Sequence, residues 1–248
     1  MMSRPLLLAA LLLPLTPAAA APPGIMAAIT DPGRPAADKE RDKDRKPAEM
    51  LVFAQVKPGQ SVIDYIPGKG YFTRLFSAAV GPKGSVYSSQ PQIILDKYKA
   101  AGKPLPPPVS SEPGRGNVHE TIANSGSLGA PEMVDLVWTS QNYHDVHIWT
   151  GADGTAALNK AAFEALKPGG VYVIEDHAGV AGLDDAGMSK LHRIDEALVK
   201  KEVLAAGFVL DGESKLLRNP ADPHTANVFD PSIRGKTDQF VLRFRKPR

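Results

Sequence analysis

The chain of 248 residues lacks cysteine, lacks a clear excess of charge of either sign and lacks a long hydrophobic run. Without cysteine it has no disulfide bond, no thiol nucleophile, no cysteine-type zinc site and no lipobox cysteine for lipid attachment. A formal net charge of +2 does not provide the concentrated basic face on which nucleic-acid binding depends. The apolar run at residues 6–13 is shorter than the roughly 20 residues that cross a bilayer. We therefore predict no nucleic-acid partner and no integral membrane segment after signal cleavage.

The first 21 residues have the three parts of a secretory signal peptide. A basic start, Met-Met-Ser-Arg, precedes the apolar stretch PLLLAALLLPLTP, and four alanines supply the small residues of a cleavage site. Cleavage after Ala20 fits best, because one residue later Pro22 would directly follow the cut. We predict that residues 1–21 are a signal peptide and that the protein is exported to the periplasm.

The remaining chain divides into a short leader and one domain. Residues 22–37 contain many helix breakers and no hydrophobic period, which predicts a disordered leader. The next segment, DKERDKDRK at 38–46, carries both signs of charge and is typical of a solvated first turn or tail. Residues 38–248 have the length of one domain with a sizeable core.

Strand-like and helix-like patterns alternate within this domain. Short apolar runs predict strands at 61–65, 84–89, 118–122, 133–139 and 171–174, and helical patterns lie at 93–101, 155–166 and 188–206. Strands separated by helices form a parallel sheet covered on both faces. The closing runs at 208–217 and 239–244 have no full helix between them, so they predict an antiparallel edge, and the proline-rich stretch 102–116 predicts a surface loop. The predicted fold class is α/β, with a Rossmann-like, doubly wound, mostly parallel sheet and an antiparallel edge strand.

In a doubly wound sheet, ligands bind beyond the carboxyl ends of the strands, beside the first strand. The predicted site is therefore formed by the loops that follow Asp64, Ser89, Thr139 and Ile174. These loops contain polar residues that packing alone does not require.

The turn after the first strand, VIDYIPGKGYFTR at 62–74, suits the close approach of a ligand to the main chain. Glycine tolerates positive φ and has no Cβ, so Gly68 and Gly70 leave the backbone bare before a helix begins. With the carboxylate of Asp64 beside them, a hydroxyl-bearing or cationic group is preferred over a pyrophosphate. On its own, such a turn is equally typical of a plain strand-to-helix connection.

The spacing of Asp64, Gly68 and Gly70 resembles motif I of class I S-adenosylmethionine-dependent methyltransferases. Similar blocks follow in order, VDLVWTSQNYHD at 134–145 and LKPGGVYVIEDHAG at 166–179. The blocks HRIDEALVKKEVLAAGF, ESKLLRNP and FDPSIRGKTDQFVLRFRKP, together with the signal peptide, resemble an exported group of predicted methyltransferases. The resemblance covers residues 38–248 and implies a seven-stranded sheet with the last strand antiparallel.

The resemblance also implies S-adenosylmethionine as the cofactor. The cofactor-binding residues that it implies are Asp64, Gly68, Gly70, Tyr71, Ser89 and Gln90.

Two positions depart from the family pattern. Ile66 replaces the first glycine of the motif, and its branched side chain crowds the turn where the methionine moiety would lie. Gln90 stands near the position of the acid that binds both ribose hydroxyls in the family, and a neutral amide forgoes the stronger charge-assisted contact.

The loop SQNYHDVH at 140–147 contains a polar cluster of Asn142, His144, Asp145 and His147. A histidine at a strand end acts as a general base near neutral pH when a carboxylate orients it. We predict His144 as the catalytic base, with Asn142 and Asp176 as orienting groups. Two alternatives stay open: structural histidines, or a metal site that pairs His144 with His147 and also includes Asp176 and His177. No residue is assigned as a metal ligand.

The function predicted from these features is methyl transfer from S-adenosylmethionine to a small-molecule acceptor in the cell envelope, a reaction that depends mostly on positioning. One alternative is a ligand-binding protein that keeps the methyltransferase fold and has lost its chemistry. A weaker alternative is a metal-dependent hydrolase that uses the histidine cluster.

Overall fold

The computed structural model describes residues 21–124 and 126–248, so residues 1–20 of the predicted signal peptide lie outside the described residues. The first half of the domain contains α1 (Pro23–Thr30), α2 (Ala36–Glu40), α3 (Asp42–Arg45), α4 (Pro47–Phe53), β1 (Ser61–Tyr65), α5 (Tyr71–Val80), β2 (Ser85–Pro91), α6 (Gln92–Ala100) and β3 (Val118–Ala123). The second half contains β4 (Val134–Ser140), α7 (Tyr143–Ala165), β5 (Leu166–His177), α8 (Asp185–Leu191), α9 (Glu196–Ala205), β6 (Val209–Ser214) and β7 (Gln239–Arg245). In this part of the chain, no helix combines the length and apolar character that crossing a membrane requires.

The strands form a seven-stranded sheet in the order β3-β2-β1-β4-β5-β7-β6. The pairs among β1 to β5 are parallel, and β7 runs antiparallel to both of its neighbours, β5 and β6. An irregular segment without a long crossover helix joins β6 to β7, and such a connection allows antiparallel pairing. The predicted α/β fold class, with its mostly parallel sheet and antiparallel strand near one edge, is confirmed.

The central strands are buried on both faces. Val62 of β1 packs with α5 in one hydrophobic cluster, and the next residue, Ile63, packs with α7 and α9 in the other. This double burial explains why the strands appear in the sequence as continuous apolar runs. Because the helices after β1 and β4 cover opposite faces, the chain order of the strands reverses between these neighbours, and a crevice opens at their carboxyl ends.

The segment 22–37 is not a disordered leader, which corrects the prediction from sequence. It contains α1 and the start of α2, and Ile25 and Ala28 are buried in the cluster formed with α5. Arg34 is buried as well and forms an ion pair with Asp42 at 2.6 Å. An isolated helix this short is unstable in water, so its order comes from packing on α5. That packing surface cannot be recognised in the composition of the leader.

Two helices also differ from the prediction. The polar segment 140–147 is not a loop throughout, because α7 begins at Tyr143 and continues through a kink at Gly151. The predicted helix 188–206 is divided in two: α8 ends at Leu191, and its C-cap residue His192 has a left-handed backbone with φ of 53°. Asp195 then accepts the N-cap hydrogen bond of α9 from the Ala197 backbone. The break places His192 beside the carboxyl edge of the sheet.

Candidate functional site

The turn after β1 has the backbone of a glycine-rich loop along its whole length. Gly68 and Gly70 have φ values of 61° and 79°, and Ile66 has φ of 55°. A positive φ is a strained conformation for a β-branched residue. The Ile66 side chain is 9% exposed and packs in the core cluster shared with α7. The Ile66 side chain is therefore directed into the core and does not fill the turn.

The proline-rich segment packs directly on this turn. A Cβ built on Gly70 would lie 2.3 Å from Cγ2 of Val109, whereas a Cβ on Gly68 would meet no described atom within 4 Å. Gly70 is thus required for the close contact with the segment, and Gly68 faces open space. Residues 105–109 are not a plain surface loop, because they form one wall of a cavity.

A cavity of about 470 Å³ lies between the glycine turn, β2, β3 and the proline-rich segment. Its lining includes Gly68, Gly70 and Gln90, three of the residues predicted from sequence. Apolar side chains of Leu95 and Ile122 provide much of the remaining wall. The amide oxygen of Gln90 is buried there and has no hydrogen-bond partner among the described residues. A buried acceptor left in this state needs a donor from a ligand or water.

Ser89 and Tyr71 lie outside this cavity. Successive side chains of a strand point to opposite faces, and the Ser89 hydroxyl donates a hydrogen bond of 2.6 Å to the Leu128 carbonyl on the α7 side. The Tyr71 hydroxyl donates to Asp42 at 2.7 Å, and its ring lies 4.6 Å from the Arg45 guanidinium. Burial raises the pKa of Tyr71, so this phenol stays protonated.

Sequence reasoning missed a carboxylate in the same cavity. Glu120 of β3 lines it, and the strand register pairs Glu120 with Ser88 of β2. The acid that the family pattern places after β2 is absent here, and the neighbouring strand supplies another one. Register between strands is a tertiary property, so no local sequence pattern pointed to this residue.

Asp64 is sealed beneath the turn. Its side chain is buried, and it accepts a hydrogen bond of 2.6 Å from the Thr73 hydroxyl of α5. Burial raises the pKa of Asp64 to about 6, although the Thr73 hydrogen bond acts in the opposite direction. The Asp64 carboxylate therefore stabilises the turn through its hydrogen bond with Thr73 of the following helix.

Replacing Asp64 by asparagine should stabilise the protein at high pH. The pKa of Asp64 rises from 3.8 to about 6 on folding, so the folded state binds more protons than the unfolded state between these values. Wild-type stability therefore falls as pH rises through this window. We expect Asp64→Asn to gain up to about 3 kcal/mol in free energy of unfolding at pH 8 and little below pH 4.

Urea denaturation at these two pH values measures the difference. Asp96→Asn, which changes an exposed carboxylate on α6, should have little effect at either pH. If Asp64→Asn changed the free energy of unfolding equally at both pH values, the raised pKa of the buried Asp64 carboxylate would be contradicted.

An arginine from the N-terminal helices covers the ends of β4 and β5. Arg45 donates to the Ser140 hydroxyl at 2.5 Å, and Ser140 in turn donates to Glu175 at 2.7 Å. The guanidinium also lies 4.6 Å from the ring centroid of Phe72. The charged segment 38–46 therefore packs against the carboxyl end of β4 through Arg45, although its composition is that of a solvated tail.

His144 and Asp176 form a buried hydrogen-bonded pair. Nδ1 of His144 lies 2.7 Å from Oδ1 of Asp176, and the His144 backbone N–H donates to Oδ2 at 2.8 Å. Burial by itself would lower the pKa of His144, but the charge and hydrogen bond of Asp176 outweigh it and raise the pKa. The same interaction lowers the pKa of Asp176 against the effect of its burial. With Nδ1 facing a carboxylate, we assign the available lone pair to Nε2.

The other polar residues near this pair have separate roles. The Asn142 amide donates to the carbonyls of Ile66 and Ser140, at 3.0 and 2.6 Å, and so ties the glycine turn to the end of β4. His177 pairs with Thr237 at 2.8 Å, and burial lowers its pKa to about 3. His147 faces Asp185 and Glu202 at 3.3 and 3.5 Å. The structure therefore does not bring His147 and His177 together with His144 as a set of metal ligands.

His144 is joined by two neighbours that sequence reasoning did not select together. Oδ1 of Asp145 lies 3.5 Å from Nε2 of His144 and 3.3 Å from Nδ1 of His192. The His192 ring contacts the His144 ring edge-on, with centroids 5.6 Å apart, and contacts Phe229 at 5.1 Å. This cluster stands beyond β4 and β5, and the segment that carries Phe229 borders it.

Comparisons with known proteins place the fold. No family model matches the sequence, and a search of curated proteins found no match. Among solved structures, the CcbJ methyltransferase from Streptomyces caelestis has a TM-score of 0.52 at 16% identity, with 90% of this chain and 96% of that chain covered. A SAM-dependent methyltransferase from Aquifex aeolicus has a TM-score of 0.50 at 15% identity, covering 83% and 97%. The cyclase SpnF has a TM-score of 0.51 at 14% identity, covering 90% and 91%.

These likenesses, with the strand order and the reversed β7, define the fold as that of class I S-adenosylmethionine-dependent methyltransferases. Because a cyclase has the same fold, the chemistry has to be argued from the site.

Proposed function

We propose that this protein binds S-adenosylmethionine and transfers its methyl group to a small-molecule acceptor. The observation that carries the proposal is the cavity beside the glycine turn, with the unpartnered oxygen of Gln90 in its wall. Its volume of about 470 Å³ lies within the usual range for small-molecule sites. The fold supports the same conclusion, because ligands of doubly wound sheets bind beyond the carboxyl ends of the strands, and the cavity lies beside the turn that follows β1, against β2 and β3.

The residues of the cavity fit the parts of this cofactor. Gln90 and Glu120 offer acceptors for ribose hydroxyls, and Leu95 and Ile122 offer apolar surface for a flat base. Gly68 leaves its side of the turn open to the ligand. When bound, S-adenosylmethionine supplies an activated methyl group on a sulfonium centre. The protein must then orient an acceptor and receive its proton.

We assign the proton-accepting role to His144. Asp176 fixes its orientation through Nδ1, and Nε2, which faces Asp145 at 3.5 Å, is the atom that receives the proton. Asn142 acts as a positioning residue, since its amide ties Ile66 to the end of β4, directly before the turn of α7 that carries His144. We also propose that the protein works in the periplasm, on the strength of the signal-peptide pattern in residues 1–21. The acceptor would then belong to the cell envelope.

Titration calorimetry with S-adenosylhomocysteine tests the proposal. We expect binding to the wild type and a loss of about tenfold in affinity for Gln90→Ala, which removes one neutral hydrogen bond. Ser89→Ala is the matched control, because Ser89 is the adjacent residue on the same strand and its hydroxyl faces Leu128. Its affinity should stay within about twofold of the wild type. Folded protein that releases no heat with this ligand would rule out the proposed cofactor.

A further inference from the structure

Three donor atoms of different side chains converge beyond the ends of β4 and β5. They are Nε2 of His144, Oδ1 of Asp145 and Nδ1 of His192. The carboxylate oxygen is 3.5 Å from the first nitrogen and 3.3 Å from the second, and all three atoms lie within 4.8 Å of one another. Donors bound to one zinc ion at about 2.0–2.2 Å lie roughly 3.3–3.6 Å apart in a tetrahedron. The two short spacings match this geometry.

The donor set is specific for a class of metal. Two imidazoles and one carboxylate are a recurrent set for zinc and for non-haem iron, with positions left open for water or substrate. Magnesium and calcium prefer ligands that are all oxygen. The cluster therefore favours a divalent transition-metal ion.

The surroundings of His144 are those of a metal ligand. Asp176 accepts from Nδ1 at 2.7 Å, and this directs the lone pair of Nε2 toward Asp145. Metal-bound histidines nearly always donate their other ring N–H to a carboxylate or carbonyl in this way. Asp176 is itself held by the backbone N–H groups of His144 and His177.

His192 and Asp145 face each other at 3.3 Å, but the geometry between them is not that of a hydrogen bond. Nδ1 of His192 is buried and has no hydrogen-bond partner within the described chain. His192 also has a positive φ of 53°, and strain of this kind in a non-glycine residue collects at functional sites. Asp145 accepts no hydrogen bond in the described residues, although its side chain is only 22% exposed. A cation between the two would satisfy both groups.

We infer that His144, Asp145 and His192 bind one divalent transition-metal ion at the carboxyl edge of the sheet. This inference goes beyond the proposed methyl transfer and does not depend on cofactor binding. A metal ion and a proton compete for the lone pair of His144 Nε2. With the ion bound, an acceptor hydroxyl that coordinates it loses its proton to solvent more easily, so the ion takes over the activation otherwise assigned to His144.

The test uses the untagged protein and Co²⁺, whose visible absorption reports coordination by nitrogen and oxygen. We expect one Co²⁺ per chain and displacement by Zn²⁺. His192→Ala and Asp145→Asn should each weaken Co²⁺ binding at least tenfold, because each removes one of three ligands. His192 and Asp145 are partly exposed, so these variants should fold, and circular dichroism checks this. His224→Ala, which removes a histidine paired with Asp238, is the control and should bind Co²⁺ like the wild type.

Equal Co²⁺ affinity in wild type, His192→Ala and Asp145→Asn would overturn the inference, as would the absence of Co²⁺ binding at a large molar excess. Calorimetry with S-adenosylhomocysteine on the same samples separates the two proposals. Loss of Co²⁺ binding in the variants with unchanged S-adenosylhomocysteine affinity supports the metal site. Bound Co²⁺ in a protein that does not bind S-adenosylhomocysteine removes only the proposed methyl transfer.

Discussion

Arg193→Met should lower the free energy of unfolding by about 3–5 kcal/mol, which is the usual cost of removing one partner of a buried ion pair. The side chains of Arg193 and Asp222 are both fully buried, and Nη1 lies 2.8 Å from the Asp222 carboxylate. The guanidinium also donates to the carbonyls of Ala178 and Ala226, each at 3.0 Å. Methionine fills a similar volume, but it leaves the buried Asp222 charge without its counter-charge, with only the backbone N–H groups of His224 and Asp238 as donors, and it leaves both carbonyls without the guanidinium.

Urea denaturation measures this loss as a lower midpoint with an unchanged slope. Arg218→Met is the matched control, because Arg218 pairs with Glu196 at the surface with 32% of its side chain exposed. An exposed pair contributes no more than about 1 kcal/mol. A loss below about 1 kcal/mol for Arg193→Met would show that the buried pair is not a main anchor of the irregular segment before β7. The pair matters for the site, since it adjoins His192 and joins the end of β5 to this segment.

Gly68→Val should lower the affinity for S-adenosylhomocysteine at least 100-fold if the cavity holds the adenosyl ligand. Gly68 lines the cavity, and its added side chain would meet no atom of the described residues within 4 Å. The branched side chain would therefore occupy space that the ligand needs. Its φ of 61° adds strain, which costs about 1–2 kcal/mol of stability for a residue with a Cβ.

Gly59→Val separates the two effects. Gly59 has φ of 80°, has open space around it and precedes the amino end of β1, at the opposite edge of the sheet. We expect a similar loss of stability and unchanged affinity for S-adenosylhomocysteine, measured by urea denaturation and calorimetry. If Gly68→Val had the same affinity for S-adenosylhomocysteine as the wild type, the ligand would bind outside this cavity or would not bind at all.

The alternation of strands and helices was predictable because it depends on local sequence. The run at 61–65 gave β1 with the bounds found in the structure, and burial of the central strands on both faces made such runs visible. Gly68 and Gly70 could be selected from the sequence, since a turn that exposes main chain needs glycine at fixed positions; with Gln90 they line the cavity, and their role toward a cofactor stays a prediction. His144 lies in the first turn of α7 after β4, and Asp176 lies in the last residues of β5, at the edge where the parallel sheet was expected to place its ligand.

Other features were decided by tertiary structure. Helix α1 is ordered because it packs on α5. Val109 packs on Gly70 because the proline-rich segment folds back on the glycine turn. Ser89 was selected from its position after β2, yet the alternation of the strand directs it away from the cavity.

The sequence by itself determined the layered α/β architecture and the edge at which the site lies, because hydrophobic period and glycine spacing act over a few residues. Only the tertiary structure decided which side chains meet there. Asp145 and His192 are far apart in the chain, and a break between two helices brings them together. Contacts of this kind depend on packing and strand register, which no local pattern encodes.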